Sequence, residues 1–265
     1  MKPIYAVALL SALTLSNCHE ENVSVKETRL DYYIESFDVD GLGFDPQLKV
    51  VYEYGESGQI DKYTVLGYNP TTEAMEMQRY FVFSYSGARV DRIAGYLSGA
   101  DSPYIEDTYQ YLPNGDVSTI TEDNHAAGVN STATFTYLEN ATVKVSYTFS
   151  NGGAFDYEFV YSGGNILSDT TTRGSELCSD GQYTYDQHHN PFSDLGYVDY
   201  LLTNLSVNNR LTEDVNFVGC AFPSLIPESY TYEYNDRGYP TSATTLYKSG
   251  DPAAKSRREF FYKPV

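Results

Sequence analysis

The sequence has 265 residues and contains no tryptophan, three cysteines, four histidines, and 17 lysines and arginines against 36 aspartates and glutamates. The shortage of cations excludes most. A formal net charge of −19 repels phosphate backbones and anionic headgroups, so nucleic acid is ruled out as a partner. Neither Cys178 nor Cys220 stands at metal-ligand spacing from a histidine. The adjacent pair His188-His189 falls in a stretch with turn character, where neighbouring side chains diverge, and reads as a polar turn. There is no Gly-x-Ser-x-Gly elbow, phosphate loop or dinucleotide fingerprint. Little Ala, Leu or Lys recurs at helical spacing, and after Leu15 no apolar run approaches the length of a membrane-spanning helix.

The first residues differ from everything after them. Met1-Lys2 is a short positive start, and Ile4 to Leu15 is apolar apart from Ser11 and Thr14. That layout predicts a secretory signal peptide over 1–18. Leu15-Ser16-Asn17-Cys18 resembles the lipobox of bacterial lipoproteins, with Asn17 departing from the usual Gly, Ala or Ser. The resemblance implies lipidation of Cys18; the alternative is a plain signal peptide with an incidental cysteine. Several acyl chains would anchor the protein stably where one would be marginal. His19-Glu20-Glu21-Asn22 opens an acidic tether over 19–29 and resembles the surface-export signal of Bacteroidetes lipoproteins.

What the chain has in excess is tyrosine, 27 residues, beside 13 phenylalanines. Tyrosine suits a strand whose ring faces a core while its hydroxyl reaches water or a partner. These residues recur in one unit: an aromatic-x-aromatic strand, a turn rich in Gly, Asn or Asp, and a returning strand with alternating apolar residues. The clearest copy has Tyr230, Tyr232 and Tyr234 on one face, the turn Asn235-Asp236-Arg237-Gly238, and a return to Thr245. Others begin at Tyr52, Phe81, Tyr109, Phe135, Phe155 and Tyr183, mostly about 22 to 30 residues apart, too close for propeller blades. The prediction is an all-β domain over 30–265: an antiparallel meander of hairpins, roughly fourteen strands, curving into an open or closed barrel or a sandwich. Phe260-Phe261-Tyr262 reads as a last edge strand.

One interval breaks the rhythm. An insertion over 192–227 carries Leu195, Tyr197, Tyr200, Leu201, Leu202 and Leu205, which suggest a short helix, and it is expected to cap one end of the sheet. It also holds Cys220. In an oxidising compartment Cys178 and Cys220 are left either to bridge or to stay free, and sequence leaves both readings open.

For chemistry, Asp38-Val39-Asp40-Gly41-Leu42-Gly43-Phe44-Asp45 is the best metal candidate. Asp38, Asp40 and Asp45 could wrap calcium, but the run lacks the other ligands of an EF-hand and reads more simply as an acidic turn. Glu106-Asp107, Glu122-Asp123 and Glu213-Asp214 read as solvated charges at strand ends. No catalytic residue or cofactor is assigned.

Two clusters carry a further likeness: Tyr183-Thr184-Tyr185-Asp186 with Asn190-Pro191-Phe192, and Tyr232-Glu233-Tyr234-Asn235 with Gly238-Tyr239-Pro240. With the lipobox-like start they resemble Bacteroidetes lipoproteins of unknown function built from tyrosine-rich YD (Rhs-like) repeats. The resemblance covers about residues 30 to 265 and implies an outer-membrane lipoprotein, periplasmic or surface-exposed. Its implied partners are the membrane through the lipid and a glycan, protein or envelope ligand in a non-enzymatic module. The alternative is a glycoside hydrolase-like enzyme using paired carboxylates in a groove beside the insertion.

Overall fold

The computed structural model describes residues 28–38, 43–198, 206–220, 227–248 and 255–264. Sixteen strands follow one another: β1 (Thr28–Asp38), β2 (Asp45–Tyr54), β3 (Ile60–Asn69), β4 (Ala74–Ser86), β5 (Arg89–Leu97), β6 (Ile105–Tyr111), β7 (Val117–Asn124), β8 (Val129–Leu138), β9 (Thr142–Phe149), β10 (Ala154–Ser162), β11 (Asn165–Arg173), β12 (Glu176–His189), β13 (Asn208–Phe217), β14 (Pro227–Tyr234), β15 (Pro240–Tyr247) and β16 (Lys255–Pro264). Each pairs antiparallel with its neighbours in sequence, and β16 pairs with β1, so the meander closes into a barrel. Closure corrects the expected edge at Phe260–Tyr262, because β16 is bonded on both sides. A closed barrel has no free strand edge to template aggregation.

Two-residue periodicity sets the wall. Along β9, Val145 and Tyr147 are buried while Lys144, Ser146 and Thr148 are exposed; along β8, Ser131, Ala133 and Phe135 are buried beside exposed Asn130, Thr134 and Thr136. The buried set forms one apolar core inside the barrel. A fully buried side chain of the Val, Ile or Phe class contributes about 1.5–3 kcal/mol. One inward row runs Tyr52, Tyr63, Phe81, Gly95, Ile105 across five strands, with the Tyr63 and Phe81 rings stacked at 4.5 Å. Gly95 makes room for that stack. A Cβ there would meet Ile105 Cγ2 at 2.6 Å and Phe81 Cε1 at 2.8 Å.

The tyrosine repeat has a second structural role. In five units the last aromatic residue donates its hydroxyl to a carbonyl near the start of the preceding strand: Tyr54 to Leu30 (2.7 Å), Tyr85 to Ile60 (2.7 Å), Tyr111 to Val90 (2.6 Å), Tyr137 to Val117 (3.0 Å) and Tyr262 to Pro240 (2.8 Å). Each bond ties the open end of a hairpin, beside a tight turn. Turns such as Asn235–Gly238 rest on Gly238 at φ +79° and on Asn235 Oδ1, which accepts from the Arg237 and Tyr239 amides.

The interval 192–227 differs from expectation in two ways. It contains β13, whose inward residues Arg210 and Glu213 are charged and so hide the apolar alternation of a strand. Its apolar residues also do more than lie over the rim. A single 3-10 turn, Pro191–Leu195, starts on Asn190, whose Oδ1 accepts from the Phe192 amide, and ends at Gly196 with φ +76°. From there the chain enters the lumen. Leu195 is buried, Tyr197 packs edge-on to Phe83 at 5.3 Å, and Tyr109 donates its hydroxyl to the Val198 carbonyl at 3.0 Å. Tyr200, Leu201, Leu202 and Leu205 lie outside the described residues. Cys178, fully buried on β12, is disulfide-bonded to Cys220.

Candidate functional site

In two of the hairpins the hydroxyl tie takes another form. Where Tyr185 of β12 meets the start of β11, Ser206 intervenes: its Oγ donates to the Tyr185 hydroxyl and accepts from the Ile166 amide. Where Tyr234 of β14 meets the start of β13, its hydroxyl donates instead to the Asp186 carboxylate, which also accepts from the Asn209 amide. Both departures flank the 190–207 connection. Beside Asn190–Phe192 and Ser206 lies a cavity of about 340 Å³, lined also by Tyr185, Arg210, Tyr230, Tyr232, Thr245, Arg258 and Phe260, among others.

Two arginines dominate its chemistry. Arg258 on β16 lies 3.2 Å from Glu35 on β1, and Arg210 lies 2.8 Å from Glu213, which also accepts the Tyr230 hydroxyl at 2.9 Å. Burial, the largest single influence, works against each guanidinium charge, but the neighbouring carboxylate and the surrounding tyrosines together outweigh it, and both arginines are held above their ordinary range. The Tyr230 hydroxyl is pushed upward by burial first and by Glu213 second. Arg210 also stacks 4.2 Å from the Tyr183 ring centre, and Tyr183 donates to Asp169, in a smaller hollow of about 170 Å³ on the other side of Arg210.

A separate lumen cavity of about 270 Å³ is lined by Tyr63, Phe81, Tyr109, Tyr197 and two carboxyls, Asp107 and Glu122. These two stand directly opposite on β6 and β7. Burial, with the Glu122 charge adding to it, pushes Asp107 up to about 7; burial also raises Glu122. This corrects the reading of the acidic doublets as solvated charge. Strand alternation splits each doublet. Glu106, Asp123 and Asp214 face out toward Arg92, His125 and Lys248, whereas Asp107, Glu122 and Glu213 face the lumen.

The groove expected beside the insertion therefore exists, but no carboxylate is among its lining residues; Glu35 and Glu213 stand behind it as the ion-pair partners of Arg258 and Arg210. The couple Asp107–Glu122 sits in the other cavity. His188 and His189 diverge: His188 stacks on Tyr234 at 4.0 Å, and His189 Nε2 lies 2.7 Å from Asp194. Of the calcium candidates, Asp38 Oδ1 accepts from the Gly43 amide at 3.4 Å, Asp45 begins β2 one residue out of register, and Asp40 lies outside the described residues. Among the described residues no group of three or more His, Cys, Asp or Glu is placed to hold a metal. Cys18 and the acidic tether also lie outside the described residues, apart from Thr28 and Arg29 at the start of β1.

On the outer wall one transverse row, Phe261, Tyr32, Val51, Thr64, Tyr80, Tyr96, crosses six strands. Its rings stack on each other, Tyr32 with Phe261 at 4.3 Å and Tyr80 with Tyr96 at 5.0 Å, and Lys49 stands 3.9 Å from Tyr32. Stacking covers one face of each of these four rings. Elsewhere the outward positions are dominated by Thr, Ser and charge: Thr119, Thr121 and Asp123 on β7, Thr142 to Thr148 by alternation on β9, Asp180, Gln182 and Thr184 on β12.

With this geometry in hand, likeness to known proteins is one of architecture. No family model and no curated protein matches the chain. The structure is similar to that of a porin-like protein from Bacteroides uniformis, at 13% identity, covering 88% of this chain and 98% of that one with a TM-score of 0.59. The likeness is the barrel fold. A protein of unknown function from Bacteroides fragilis, 8% identical over 63% of this chain and 91% of that one, has a TM-score of 0.19 and carries no argument.

Proposed function

We propose that this chain is an exported lipoprotein of the bacterial envelope whose barrel stands in water and works as a non-enzymatic binding module, tethered by lipid on Cys18. The observation that carries this reading is the polarity of the wall. A barrel that crosses an outer membrane turns an apolar band about 25 Å tall toward lipid and keeps its lumen polar. Here tyrosine, phenylalanine, valine and isoleucine fill the inside, and threonine, serine and charged residues dominate the outside. The rows on either side of the outward aromatic row hold apolar Ile34, Leu66, Met77 and Val82, but they also carry Lys49, Glu53 and Lys62, the last two paired at 2.7 Å. Burying such a wall in hydrocarbon would strand charges and hydroxyls without water. The porin-like neighbour from Bacteroides and the likeness to YD-repeat lipoproteins support an envelope address, and the lipobox-like Leu15–Cys18 supplies the attachment that the wall does not.

The full chain with its leader, expressed in a Bacteroides host fed a labelled fatty acid, tests the tether. The labelled protein is expected in the membrane fraction, and Cys18→Ala should lose the label and move to the soluble fraction. Retention of the Cys18→Ala protein in washed membranes would contradict the reading.

A further inference from the structure

We infer that the cavity framed by β12 to β16 takes a neutral, polyhydroxylated ligand of mono- or disaccharide size. This rests on the binding-module reading and names the class of ligand for its site. Size comes first: about 340 Å³ lies at the lower end of small-ligand sites, which run from about 300 to 1,000 Å³.

Charge decides the class. Arg210 and Arg258 would suit an anion if they were free, but each is matched by its own glutamate, Glu213 and Glu35. The two pairs sum to neutrality, and Asp186 behind the wall adds a negative charge held by Tyr234 and Asn209. A bound carboxylate or phosphate would have to draw an arginine from its partner and leave a buried glutamate uncompensated. A bound cation would meet the guanidinium groups. Neither is favoured, and a neutral ligand disturbs nothing.

What the pairs offer instead is hydrogen bonding without net charge. Arg258 sits among Tyr33, Phe192 and Phe260, yet 42% of its side chain remains accessible, and that surface opens on the cavity. A guanidinium presents a planar fork of donors, and Asn209 and Thr245, which line the cavity with it, add side-chain oxygens that accept. Side by side they match neighbouring hydroxyls on a ring, each of which both donates and accepts. Phe192, Phe260, Tyr230 and Tyr232 provide aromatic surface for the C–H faces of the same ring. The site lies where the hydroxyl ties between strands are replaced by Ser206 and Asp186, so the repeat is interrupted where the hollow opens.

Saturation-transfer NMR on the full lipidated chain, in a detergent without a sugar headgroup, tests this. The probes are glucose, galactose, mannose, xylose, N-acetylglucosamine, cellobiose and lactose, with galacturonate and inorganic phosphate as anionic comparators. At least one neutral sugar is expected to receive saturation from the aromatic protons and to bind more tightly than either anion. The paired variant Glu35→Gln/Arg258→Met removes both charges together, so no buried ion is left alone; it should keep the melting temperature and bind that sugar about tenfold more weakly or worse. Tighter binding of galacturonate or phosphate, silence from every neutral sugar, or unchanged affinity in the paired variant would each overturn the assignment. Fractionation of the Cys18→Ala chain reports on the tether independently, so failure of one is distinguishable from failure of the other.

Discussion

Asp107→Asn should make the protein more stable at alkaline pH and leave it nearly unchanged in acid. Asp107 faces the lumen opposite Glu122, in a cavity walled by Tyr63, Phe81 and Tyr109. Burial and then the Glu122 charge raise its pKa from 3.8 to about 7 in the folded protein. The folded state therefore holds this proton where the unfolded state has released it. Between about pH 4 and pH 7 the unfolded chain binds fewer protons, and stability falls as pH rises. At about 1.4 kcal/mol per unit the shift is worth at most about 4 kcal/mol, and water in the cavity reduces it, so roughly 2–4 kcal/mol is expected by pH 8. Asparagine has the shape of the protonated acid and no charge to release. Urea unfolding of both proteins from pH 4.5 to 8.5, followed by tyrosine fluorescence, should give curves that converge in acid and separate through neutrality. Glu122→Gln should move the wild-type fall to lower pH. Parallel curves for wild type and Asp107→Asn would refute the placement of Asp107 in the lumen.

Three further outcomes follow from the packing. Tyr111→Phe removes the hydroxyl that reaches the Val90 carbonyl at 2.6 Å and should cost about 0.5–1.5 kcal/mol in urea, whereas Tyr68→Phe on the exposed face should cost under about 0.5 kcal/mol; equal losses would deny the hydrogen bond its role. Cys178 and Cys220 are separated by 42 residues, and breaking their bridge in a Cys178→Ser/Cys220→Ser chain should lower stability by about 4 kcal/mol on the chain-entropy estimate; an unchanged unfolding midpoint would show the bridge adds nothing. Gly95→Ala places a methyl against Ile105 and Phe81 and should destabilise by about 1–3 kcal/mol in thermal unfolding, with no loss at all being the contrary result.

The fold was legible because each tyrosine-rich unit repeats the same local instruction. Tyr230, Tyr232 and Tyr234 alternate, Gly238 turns the chain, and the return strand pairs at once, so a meander needs no long-range code. Closure was one of the alternatives the sequence left open, and the edge-strand reading of the last segment was the part that failed. Whether Phe260 and Phe261 end at an edge depends on β1 lying beside them, and β1 is disguised by a register shift between Leu30 and Tyr32. The strand β13 was hidden for a different reason: its inward residues Arg210 and Glu213 satisfy each other inside the barrel, and charge in a lumen reads from sequence as charge on a surface. The same ambiguity concealed the site. Asp107 beside Glu106, and Glu122 beside Asp123, look alike in the sequence, and only the two-residue alternation of the wall separates the buried partner from the solvated one. The one signal available was the break in the repeat after Tyr185, just before Asn190–Phe192, which line the cavity.

The most direct measurement concerns the wall itself. A Cys18→Ser chain, made without its leader and purified with no detergent, should run as a monodisperse species on size exclusion with light scattering, fail to float with liposomes, and leave planar bilayers without conductance. Aggregation that detergent reverses, together with insertion into liposomes, would show that the outer wall faces lipid and would contradict a barrel standing in water.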